Sequence, residues 1–197
     1  KYLKNEILDL TEDNFVLVTC HRRENILNEY SFKKIISLLN NIENSNVIFP
    51  MGYKTQEILN KSGILLNNNV KVLDPIGYLE FMFLLKNSKF VATDSGTVVE
   101  EACILNVPSI QMRYSTERPE VYDVKASIKF DPTKSSTNNE NILSSVDNLK
   151  RGWDNPFGDG NSSELIVSDL IELSKTNNFK KHNPSDYSFD TSRSFKE

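Results

Sequence analysis

An open parallel sheet with helices on both faces, a Rossmann-like α/β layer, is the fold class this sequence predicts, and three observations predict it. Short apolar, β-branched runs recur along the chain, segments of helical periodicity lie between them, and the loops that follow the runs carry small, charged and hydroxyl residues. The runs are FVLVTC (15–20), NVIFP (46–50), VKVLD (70–74), KFVAT (89–93) and PSIQM (108–112), each short enough for a strand buried on both faces. Between them, Phe32, Ile35, Ile36, Leu39 and Ile42 keep helical spacing, as Leu79, Met82, Phe83 and Lys86 do less cleanly. Right-handed crossovers then join parallel strands.

Beyond SIKFDP (127–132) the stretch 133–141 is polar and reads as a surface loop, and a helical run follows at 142–150. The segment 151–163 is rich in Gly, Asn and Pro, and 164–173 reads as a helix capped by Ser162 or Ser163. One domain is expected over 1–176, with 177–197 as a polar tail in which His182 is solvated. The opening KYLKNEILDL meets the first strand without a start signal, so the chain is expected to be the later part of a longer one.

Composition narrows the function classes. With 23 basic against 27 acidic side chains, a net charge of −4 argues against a nucleic-acid surface. No apolar run of about 18 residues occurs, so no membrane-spanning helix is expected. The two cysteines, Cys20 and Cys103, sit in apolar stretches, which points to buried thiols and a reducing cytoplasm. No G-x-G-x-x-G follows the first strand, which disfavours a dehydrogenase; neither a metal nor a cofactor is expected.

Ligands of open parallel sheets bind outside the carboxyl ends of strands. In KFVATDSGTVVEEA the strand ends at Asp94, Ser95 and Gly96 make the turn, and a helix follows with Val98, Val99, Ala102 and Cys103 as its packed stripe. Free N–H groups and the helix dipole make that terminus suited to a phosphate, and Gly96 admits close approach. An ordinary Ser-capped helix is the plain alternative. Of Glu100 and Glu101 at most one can face the anion, reaching past it to neutral hydroxyls; a solvated pair is the alternative. CHRRENI (20–26) follows the first strand at the same edge, offering His21 for proton transfer and Arg22 and Arg23 as forked donors. TERPE (116–120) adds Glu117 and Arg118 beyond the next strand, again at that edge.

TCHRREN, DPIGYLEFMFLL, TDSGTVVEEA, RYSTERPE and NPFGDG, in this order over residues 14 to 172, resemble the non-hydrolysing UDP-N-acetylglucosamine 2-epimerases. The resemblance implies a GT-B architecture of two Rossmann-like domains, of which this chain is similar to the C-terminal, UDP-binding one. It implies diphosphate at Ser95 and Gly96, ribose hydroxyls on Glu101, uracil between the main chain of Ile76 and the ring of Phe81, and Arg113, Thr116, Glu117 and Arg118 beside sugar and phosphates. The catalytic-site histidine falls on His21, followed by Arg23 and Glu24 as further catalytic candidates. The partners implied are a UDP-sugar, the protein's own N-terminal domain, which carries the main catalytic acids, and a second copy in a homodimer.

The reaction implied is elimination of UDP across C1–C2 of the sugar and its re-addition to the opposite face, in surface polysaccharide biosynthesis. Two departures bear on it. Members commonly read DSGGIQEE, whereas Thr97 and Val99 stand here, a form similar to relatives acting on UDP-2-acetamido-2,6-dideoxy sugars. Gly52 stands where substrate-activated members have His, so that regulatory contact is expected to be missing. A GT-B glycosyltransferase half and a non-catalytic nucleotide-sugar module are the competing readings; HRREN together with TERPE favours the epimerase.

Overall fold

The computed structural model describes residues 14–175, so the expectations for the polar tail and for His182 lie outside the described residues. Six strands, β1 (Phe15–Thr19), β2 (Asn46–Pro50), β3 (Val70–Leu73), β4 (Val91–Thr93), β5 (Ser109–Met112) and β6 (Ser127–Phe130), form one parallel sheet in the order β3-β2-β1-β4-β5-β6. The helices are α1 (Arg23–Ile26), α2 (Glu29–Asn40), α3 (Tyr53–Ser62), α4 (Tyr78–Asn87), α5 (Gly96–Ile104), α6 (Glu120–Asp123), α7 (Asn139–Asp147) and α8 (Ser162–Lys175). The described residues divide into two compact units at the Phe157–Gly158 boundary, the first holding the sheet and the second holding α8.

Strand alternation sorts the core. Val16, Val18, Val47, Phe49 and Ile110 point to one face and pack with Phe32, Ile35, Ile36 and Leu39 of α2, while Phe15, Leu17, Ile48 and Val91 point to the other and meet Leu84, Leu85 and Ala102. Burial on both faces is why these strands read as continuous apolar runs. Both cysteines are buried free thiols, as expected.

Four expectations need correction. SIKF is a sixth strand, in register with β5 from Ser109↔Ser127 to Met112↔Phe130. The helix called at 142–150 begins at Asn139, because the Asn138 side chain accepts from the Asn141 N–H and caps it. In α4 the buried residues are Leu84 and Leu85, while Leu79 is 70% exposed. Finally, α8 starts at Ser162 itself, so neither serine is its N-cap, and the Asn161 carbonyl accepts the Leu165 N–H.

Candidate functional site

The sheet order reverses between β1 and β4, and the crevice beyond their carboxyl ends is where such a sheet accepts a ligand. Thr19 and Thr93 end these strands in register and share a 2.6 Å contact between their hydroxyls.

Asp94 is the anchor of this edge. Fully buried, its carboxylate accepts the backbone N–H of His21 at 3.0 Å and of Arg22 at 2.8 Å, and Asn25 Nδ2 at 3.2 Å. His21 Nδ1 lies 3.3 Å from the same carboxylate. Asn25 Nδ2 also donates to the Met112 carbonyl at 2.9 Å, tying the β1 loop to β5, and Thr55 Oγ1 donates to the Cys20 carbonyl at 2.9 Å. A buried carboxylate is costly unless its lone pairs are filled, and here donors from the β1 loop fill them. Contrary to expectation the strand ends at Thr93, and Asp94, the next residue, serves the neighbouring loop: the Ser95 N–H of its own turn goes to Thr93 Oγ1 at 3.0 Å.

Ser95 is the N-cap of α5, its Oγ accepting the Val98 N–H at 3.4 Å. The other N–H groups of that first turn have no acceptor within the helix. A Cβ at Gly96 would lie 3.4 Å from Glu117 Oε2 and 3.6 Å from Arg113 Nη1, so these side chains come up against the start of α5. Arg113, whose side chain is 6% exposed, grips Glu117 with two bonds of 2.6 and 2.9 Å. That pairing holds the Glu117 carboxyl down at about 2. Arg118 Nε donates to Glu100 at 2.6 Å, and its backbone N–H donates to Thr116 Oγ1 at 3.0 Å. The TERPE loop is thus fastened to α5 by the Arg118–Glu100 pair and to the residue that follows β5 by the Glu117–Arg113 pair.

A cleft of about 510 Å³ opens at this edge, with His21, Ile76, Tyr78, Phe81, Thr97, Val98 and Glu101 in its lining. Glu101 is the glutamate that faces it, its Oε1 accepting the Tyr78 hydroxyl at 2.8 Å, while Glu100 turns to Arg118. The Glu101 carboxylate pushes the Tyr78 phenol above its usual range. Burial, and then the Asp94 charge, push the Cys20 thiol well up, so it is inert despite its place in the lining. Arg23 and Glu24 do not line the cleft: both are exposed on α1, and Glu24 accepts from Arg22 at 3.2 Å.

Sequence reasoning missed Asn25, Thr55 and Tyr78. Asn25 and Tyr78 lie inside quoted motifs, as the last residue of TCHRREN and just after the Gly77 turn; Thr55 gave no signal. Among the described residues no cluster of three His, Cys, Asp or Glu could hold a metal ion, and no helix is long and apolar enough to cross a membrane.

The family model for UDP-N-acetylglucosamine 2-epimerase matches residues 1–171. The chain belongs to that family. The UDP-N-acetylglucosamine 2-epimerase of Methanococcus maripaludis is 43% identical over 166 residues, which are 79% of this chain and 44% of that protein. The Methanocaldococcus jannaschii UDP-GlcNAc 2-epimerase, solved in complex with UDP-GlcNAc and UDP, superposes with a TM-score of 0.73 at 36% identity, covering 86% of this chain and 49% of that one. The S. aureus MnaA–UDP co-structure matches with a TM-score of 0.67 at 28% identity over 95% of this chain and 52% of that one. The chain therefore spans about half the length of the epimerases it matches, and its six-stranded α/β domain corresponds to half of the two-domain architecture expected from the sequence.

Proposed function

We propose that this chain supplies the UDP-binding half of a UDP-N-acetylglucosamine 2-epimerase. The observation that carries the reading is the convergence, at the reversal of the sheet, of a Ser-Gly helix start, one glutamate facing the cleft and an apolar wall. The diphosphate lies on the first turn of α5 at Ser95 and Gly96, where the dipole and unpartnered N–H groups favour an anion. Glu101 takes the ribose hydroxyls, and uracil sits against Ile76 and the Phe81 ring. Arg113, Thr116, Glu117 and Arg118 close the phosphate and sugar end.

The reaction breaks the C1–O bond as the C2 proton leaves, giving a 2-acetamidoglucal and UDP; UDP then re-adds while a proton returns to the opposite face of C2. Preorganised donors at the leaving diphosphate contribute several kcal/mol where water is excluded. His21, fixed beside Asp94, faces that step, with Arg23 and Glu24 following it on α1. The amino-terminal domain supplies the remaining acid and base groups, so this half binds UDP without turning over. The sugar is N-acetylglucosamine or a 2-acetamido-2,6-dideoxyhexose, and the setting is surface polysaccharide synthesis in the cytoplasm by a homodimer. With Gly52 in the lining, the complete enzyme is not activated by its own substrate.

Calorimetric titration with UDP, of this chain and of a Ser95→Ala, Glu101→Ala double variant, tests the reading. Micromolar to millimolar binding that the variant loses supports it; equal binding by both, or none by the folded chain, contradicts it.

A further inference from the structure

Tyr78 is the first residue of α4 and is 63% exposed, yet its hydroxyl holds Glu101, 23 residues away, at 2.8 Å. Its position is not that of a loose loop. Glu80 reaches back to the Gly77 N–H at 2.7 Å and fixes the start of the helix on which Tyr78 stands. Both partners line the same cleft, next to Ile76 and Phe81.

An exposed hydrogen bond of this kind does little for folding stability, because water competes for both groups. It does fix a direction. A carboxylate has about four acceptor positions over two oxygens. The tyrosine occupies one on Oε1 and removes rotamers of a long side chain, leaving Oε2 and the remaining lone pair for a ligand. Two vicinal hydroxyls require two acceptor positions on one rigid carboxylate, and a carboxylate already held loses less freedom on binding them.

We infer that Tyr78 is a positioning residue for Glu101, and that the pair sets a preference for ribonucleotides over 2′-deoxyribonucleotides. The inference rests on the UDP reading above and adds a determinant of sugar specificity to it.

The test compares UDP with 2′-deoxy-UDP by calorimetry on the chain and on Tyr78→Phe, Glu101→Gln and the double variant. Tyr78→Phe keeps the ring and, at an exposed position, leaves the fold intact. The chain binds UDP more tightly than 2′-deoxy-UDP; Tyr78→Phe reduces that ratio by about five- to tenfold, mainly by weakening UDP. In the Glu101→Gln background the same substitution changes the ratio little, since the group it positions is gone. A ribose preference that Glu101→Gln removes and Tyr78→Phe leaves intact would overturn the role of Tyr78 while the UDP reading stands. Equal weakening of both nucleotides by Tyr78→Phe would make it a plain contact and overturn the inference too. Failure of the chain to bind UDP, or binding with no ribose preference, would overturn the reading of Glu101 and this inference together.

Discussion

The two edges of the sheet both carry concavities, and the larger one is the poorer candidate. At the amino-terminal edge a groove of about 740 Å³ has six asparagines in its lining, Asn14, Asn40, Asn44, Asn46, Asn67 and Asn69. Several of these amides are already committed to nearby carbonyls: Asn40 to Leu65 and Asn67 to Asn40 at 2.9 and 2.8 Å, and Asn69 to Ile42 and Ser45 at 2.9 and 3.1 Å. They hold loops together. At the carboxyl-terminal edge the cleft is smaller, but its polar groups are paired so as to aim others: Asp94 shapes the His21 loop, and Tyr78 holds Glu101 at the lining. Volume is a weak guide beside the direction in which polar groups are presented.

Substitutions at the two edges break or sharpen this contrast. The largest effect is expected at Asp94. Asp94→Ala removes the buried carboxylate on which the His21, Arg22 and Asn25 N–H groups converge, and should cost about 3–5 kcal/mol in denaturant unfolding while abolishing UDP binding. Glu101→Ala should weaken UDP about tenfold with the unfolding midpoint unchanged, a separation of binding from stability that calorimetry beside a melt would read. At the opposite edge the pattern inverts: Asn69→Ala removes two bonds to loop carbonyls and should cost about 1 kcal/mol of stability while UDP affinity stays the same. The smallest effect concerns acid. Glu117 is held at about 2 by Arg113, against an ordinary value near 4.5, so its contribution is complete above the ordinary value and is lost as pH falls toward about 2. Because its side chain is 58% exposed, solvent screens the pair, and Glu117→Gln should only slightly flatten the acid limb of a stability–pH curve.

Legibility followed burial. Strands covered on both faces announced themselves as apolar runs, and α2 did so by its periodic stripe, because these elements answer to the core alone. The two edge strands did not follow that rule: VKVL was read as a strand although Lys71 and Val72 are exposed, while SIKF, its ends buried, was passed over. Leu79 misled because α4 packs through Leu84 and Leu85 and leaves its first turn at the cleft. In the candidate site, Ser95 and Gly96 were readable from the strand-turn-helix pattern, and the facing of one glutamate from helical geometry. The choice of Ile76 and Phe81, both in the cleft lining, came from the resemblance alone. Asn25, Thr55 and Tyr78 were hidden because each acts on a residue distant in sequence, 69, 35 and 23 positions away.

The most direct test of the claim that the carboxyl-terminal edge is the nucleotide site is a backbone amide NMR titration of the chain with UDP. Saturable shifts centred on residues 95–98, 76–81 and 21–22, with 40–46 and 67–69 unmoved, are the predicted result. Shifts centred on the asparagine groove, or no saturable shifts at millimolar UDP, would contradict it.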